Sequence, residues 1–263
     1  HLSGRSSQKV SLDLTGEVGH VDDYAVFSQT LVENIRNNQL VNQKMDIVDF
    51  NVKNEITNID SANNVHVLAE TTRKDGTIQL HDMAYPEYGE KLEFIFNRFG
   101  NVLKAGKYSE NSLFFVPPLP LPQKEVSVGD TWKYEGEWKS SALQGPMRLK
   151  LEMSLKKLIP CYNGEICAGV QWEGNVEPST PGMKLPVTSL IKGYTIYRPK
   201  TGSQLWTYTR NLESFSIQTL KLQVASCVQS ILKNDKSGLN PLIKKDPYCD
   251  PSKDEMAYFE NPE

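Results

Sequence analysis

The sequence predicts a mainly β protein, made of two related curved antiparallel β-sheet units in a half-barrel or sandwich-like arrangement. Three observations predict it. Apolar and polar residues alternate with period two, helical periodicity is scarce, and similar strand patterns recur about 100 residues apart.

The first unit takes residues 1–113. Its clearest strand is VDFNVKNEI, where Val48, Phe50, Val52 and Ile56 share one face and Asp49, Asn51, Lys53 and Glu55 the other. NNVHVLAETT, beginning at Asn63, is the next strand. EKLEFIF is also a strand, because Leu92, Phe94 and Phe96 alternate.

Residues 114–125 follow as a linker. Pro117, Pro118, Pro120 and Pro122 fix φ and cannot donate to a ladder, so the run is extended and semi-rigid. Pro117 and Pro120 also have PxxP spacing, which leaves a partner-docking role as the alternative.

The second unit takes residues 126–232. Gly129 and Asp130 form a turn, and Trp132 is the first large residue to anchor the strand TWKYEGEW. In MRLKLEMSL, Met147, Leu149, Leu151, Met153 and Leu155 point inward. EICAGVQWEG and TIYRPKTGSQLWT continue the sheet. LESFSIQTLKLQVASCVQSILK reads as a strand followed by a short helix over residues 224–232, and residues 233–263 as a polar tail held at Cys249.

Three pairs of segments keep their order and spacing: VDFNVKNEI with MRLKLEMSL, NNVHVLAETT with EICAGVQWEG, and the turn at Gly100 with the turn at Gly202. They predict an internal duplication, with the proline run as the joint.

Net charge is −3, and the basic residues are dispersed among acids, which offers no footprint for nucleic acid. No run reaches the roughly 18 apolar residues of a spanning helix. The start, HLSGRSSQKV, has neither an initiator Met nor an apolar leader core and reads as a processed end.

Cys161 and Cys167 flank a turn containing Asn163-Gly164, and Cys227 and Cys249 flank a polar segment. The pattern points to two local disulfides and an oxidising compartment, with free thiols as the alternative and the connectivity open. No histidine lies near these cysteines, which disfavours zinc, and no N-x-Ser/Thr sequon occurs.

No motif for a catalytic nucleophile, nucleotide or metal is present, so no catalytic residue, metal ligand or cofactor is assigned. HVDD, residues 20–23, could offer oxygen and nitrogen ligands but reads as a solvated loop before the strand at Tyr24. Glu135 and Glu137 share a strand face that reads as the wet one.

All four tryptophans fall in the second unit. Trp138, Trp172, Tyr194, Tyr197, Trp206 and Tyr208 are therefore the candidate ligand-binding residues, on a concave aromatic face; a larger core is the alternative. The long connection from Glu177 to Ser189 could cover that face.

Val126, Val128, Gly129, Asp130 and Trp132, followed by Gly193, Tyr194, Pro199 and Gly202, resemble a pattern in exported bacterial β-rich proteins and lipoproteins of unknown function. There a proline-led VxVGDxW opens a strand and a glycine-bearing hairpin follows. The resemblance covers residues 118–210 and implies a β-sheet fold in the bacterial periplasm or at the outer surface.

The expected function is that of a non-enzymatic exported envelope protein, a binding or assembly component that meets an envelope protein or an apolar ligand. A periplasmic carrier of a lipid or other apolar molecule is the alternative, and it requires an internal cavity. An envelope-polymer hydrolase is a third reading, and it requires two convergent carboxylates.

Overall fold

The computed structural model describes residues 8–140, 145–180, 187–239 and 249–252. They form a mainly β protein, and none of them lies in an α-helix. The strands are β1 (Val21–Arg36), β2 (Gln39–Ile59), β3 (Val65–Gly76), β4 (Lys91–Phe96), β5 (Val102–Ala105), β6 (Thr131–Ser140), β7 (Gly145–Cys161), β8 (Glu165–Pro178), β9 (Val187–Arg198), β10 (Ser203–Ile217) and β11 (Leu220–Leu232).

All belong to one antiparallel sheet in the order β5-β4-β3-β2-β1-β11-β10-β9-β8-β7-β6. Two meanders therefore meet where the first and last strands pair, with Val26 opposite Ser230. β5 and β6 are the edges, and the sheet is not closed.

The sheet follows the period-two pattern closely. Val48, Phe50, Val52 and Ile56 are buried on β2, as are Met147, Leu149, Leu151, Met153 and Leu155 on β7. Residues 224–232, expected to turn helical, are strand β11 instead. The reason is positional: β11 is paired on both sides, by β1 and β10, and both ladders hold its backbone extended.

The segment between the edges, residues 106–130, straps across one face of the sheet. Pro117, Leu119, Pro120, Leu121 and Pro122 are buried within it. The strap is fastened along its length: Gly106 N–H donates to Glu93 O, Lys139 N–H to Asn111 O, Leu121 N–H to Phe99 O, and Val126 N–H to Val10 O. A proline run suits this place because its missing N–H groups would otherwise need partners in the interior.

The chain before β1 closes one end. Leu12 and Leu14 are buried there, Leu14 N–H donates to Arg98 O, and Thr15 N–H donates to Pro199 O. One extended segment thus ties together the turns that carry Gly100 and Gly202.

Two disulfides are formed, Cys161–Cys167 and Cys227–Cys249, with Cα separations of 5.8 and 6.0 Å. The first bridges the β7–β8 hairpin, which has a three-residue loop, Tyr162 to Gly164. Cys167 lies opposite Ile159, so Cys161 is its diagonal neighbour and does not face it directly. The second disulfide pins residues 249–252 to the outer face of the sheet, where Arg210 Nη2 donates to Pro251 O at 3.2 Å.

Candidate functional site

A cavity of about 430 Å³ lies between the sheet's inner face and the strap. Its size falls within the roughly 300–1,000 Å³ usual for small-molecule sites. Residues of β1 to β4 and β8 to β11 line it together, which means that one sheet face curls around a common space.

The walls are apolar. Val65, Val67 and Ala69 come from β3, Phe94 and Phe96 from β4, and Leu119 and Leu121 from the strap. Met83 enters from the end of the 3-10 turn Leu80–Met83, and Tyr85 from the loop after it. Tyr85 is half-buried, and desolvation of its hydroxyl pushes it up to about 12.

The floor is polar and comes from the central strands. Asp22 is buried on β1 at 5% exposure. One of its oxygens lies 2.7 Å from His20 Nε2, and the other accepts the Tyr24 hydroxyl at 3.0 Å. Tyr24 itself accepts the backbone N–H of Gln204 at 3.1 Å. Burial, then the Asp22 charge, holds the Tyr24 hydroxyl well above the ordinary phenol range, which keeps it protonated as a donor.

HVDD is therefore not a wholly solvated loop, since β1 begins at Val21 and carries Asp22 inward. His20 Nε2 is also 3.3 Å from Ser203 Oγ. The same nitrogen faces both carboxylate and hydroxyl, whereas a relay needs one ring nitrogen for each. Among the lining residues Asp22 is the one carboxylate, so the paired-acid arrangement is not found in this cavity.

The six candidate aromatics divide. Trp172 and Tyr197 line the cavity. Trp172 lies flat over Gly193 on the next strand: a Cβ on Gly193 would come within 2.0 Å of its ring. Tyr194, Trp206 and Tyr208 point through the other face, because they alternate with Thr195, Thr207 and Thr209. There they are buried in the cluster that holds Cys227, Leu239 and Cys249. Trp138 is half-buried near the edge of β6 and does not reach the cavity.

Gly129 takes a left-handed φ of 97°, and the Asp130 carboxylate accepts the Ser127 backbone N–H at 2.8 Å, forming the expected turn. Glu137 is exposed and paired with Arg148. Of the connection proposed to cover the aromatic face, residues 181–186 lie outside the described residues.

The polar floor escaped sequence reasoning. Asp22, Asn54, Thr209 and Ser230 are scattered along the chain and meet only because β1 pairs with both β2 and β11, and β11 with β10.

No family model matches the chain, and no curated protein matches its sequence. Among solved structures, one on lipid–protein interactions in lipovitellin aligns with a TM-score of 0.49 at 10% identity. It covers 89% of this chain, which spans 26% of that protein's length. DynF from the dynemicin biosynthesis pathway of Micromonospora chersina aligns with a TM-score of 0.24 at 8% identity, covering 88% of each chain. A DUF3598 protein of unknown function from Nostoc punctiforme gives 0.15 at 8% identity, over 85% of this chain and 100% of that one. These likenesses carry no functional assignment.

Proposed function

We propose that this is an exported bacterial binding protein of the periplasm or outer surface, which carries an apolar molecule in the cavity beneath its proline strap. The observation that supports it most is the cavity itself. A purely structural role calls for an interior filled by side chains, whereas here apolar walls and a small polar floor surround about 430 Å³. The single lining carboxylate favours binding over envelope-polymer hydrolysis.

Export is supported by the two disulfides, which persist in oxidising compartments. Descent from a duplicated unit is supported by the two meanders: β2–β3 corresponds to β7–β8, and β4–β5 to β9–β10. Their turns place Gly100 and Gly202 at φ values of 76° and 72°. On this reading residues 114–125, the proline run within the strap, are the former linker between the copies.

An assembly role with an envelope protein is the second reading. Exposed Leu40, Val41, Ile217 and Leu220 at the tips of the β1–β2 and β10–β11 hairpins favour it.

The deciding experiment is native mass spectrometry of protein purified from its own envelope. A small co-purifying mass, lost on denaturation, is the expected result. A bare chain that stays empty when offered apolar compounds would overturn the carrier reading.

A further inference from the structure

We infer that the cavity selects an uncharged amphiphile, an apolar body ending in a hydroxyl-type group, and discriminates against carboxylates and phosphates. The inference rests on the cavity being the ligand site and names the ligand's class.

Charge is the first argument. No Lys or Arg lines the cavity, and besides tyrosines its ionisable groups are Asp22 and His20. An anionic head would leave water for a space with no dedicated cation and an acidic side chain already in place. Both the lost hydration and the like-charge repulsion oppose that transfer. A cationic head has little to gain either, because both Asp22 oxygens already face partners, His20 and the Tyr24 hydroxyl.

The second argument is unused hydrogen-bonding capacity. Asn54 stands directly opposite Asp22 in the β1–β2 register. Its side chain, like those of Thr209 and Ser230, lines the cavity without a hydrogen-bond partner among the described residues. A hydroxyl both donates and accepts, so it can satisfy an amide and a side-chain hydroxyl together. An ionised carboxylate only accepts and presents acceptor to acceptor at Asp22.

The third argument is the contrast within the site. Val65, Val67, Phe94, Phe96, Leu119 and Leu121 have nothing polar to offer, so the ligand's body must be apolar while its head lies on the floor.

The test is displacement of the neutral dye Nile red by three 12-carbon competitors at pH 8, each below its micellar or solubility limit. Dodecanol is expected to displace the dye at concentrations at least tenfold lower than dodecanoate or dodecylamine. Asp22→Asn is expected to reduce the preference for dodecanol over dodecanoate by fivefold or more. Asn54→Leu is expected to weaken dodecanol by a larger factor than it weakens the dye.

Dye binding with dodecanoate or dodecylamine competing as well as dodecanol would overturn the inference and leave the carrier reading standing. Absence of saturable binding by the dye and by all three competitors would remove both.

Discussion

The indole nitrogen of Trp132 donates to the backbone carbonyl of Pro120 across 3.0 Å. This bond fastens the edge strand β6 to the strap that roofs the cavity. Proline cannot donate, but its carbonyl remains a full acceptor, and the indole uses it.

Trp132→Phe is expected to keep most of the packing and lose the bond, lowering stability by about 1 kcal/mol. Trp132→Ala should cost about 2–4 kcal/mol, below the upper end for a fully buried tryptophan, because the ring is only half-buried. Urea denaturation measures both. Faster amide exchange at Leu121 in either variant would show the strap loosening, and unchanged exchange would place the effect in β6 alone.

Removing the Cys227–Cys249 disulfide by paired alanine substitution is expected to cost about 3 kcal/mol, against about 2 kcal/mol for Cys161–Cys167. The closed loops differ, with sequence separations of 22 and 6. Thermal melts of the two double variants give the order, and a reversed order would count against loop closure as the main contribution.

Gly193→Ala places a methyl where the Trp172 ring now lies. The expected loss is about 1–3 kcal/mol from overpacking. Because Trp172 lines the cavity, dye affinity should fall as well. A variant with wild-type stability and affinity would show that the ring can move freely.

Glu165 accepts from Arg198 at both oxygens, at 2.6 and 2.8 Å, and the guanidinium lies 3.8 Å over the Tyr162 ring. The hydrogen bond from Arg198 leads in holding the Glu165 carboxyl below its ordinary 4.5, against an opposing effect of burial. A carboxyl lowered on folding adds stability above its ordinary value and loses it as pH falls through the folded one. The urea midpoint of the natural protein should therefore fall more steeply below pH 4.5 than that of Glu165→Gln. Parallel pH profiles would refute this contribution.

Local features of the fold were legible in the sequence. Period-two runs placed β2, β4 and β7, and the cysteine spacing matched bridges within hairpin or tail distance. The pairing of β1 with β11 was not legible, because nothing local marks residues so far apart in sequence as neighbours. That pairing, together with the β10–β11 ladder, holds residues 224–232 as a strand, and with the β1–β2 ladder it gathers the polar floor. The split of the aromatics was available from parity: Tyr194 and Tyr197 are three positions apart and cannot share a strand face. Which face curls around the cavity depended on the strap, and a proline run carries no signal for what it covers.

The central claim, that the cavity beneath the strap holds the ligand, is tested most directly by filling it. Ala69 is buried on β3 and lines the cavity, so Ala69→Trp places an indole where the ligand's apolar body would lie. Titration with Nile red, read by fluorescence, is expected to give one saturable site per chain in the natural protein and none in a variant that stays folded by circular dichroism. Unchanged affinity and stoichiometry in that folded variant would contradict the account.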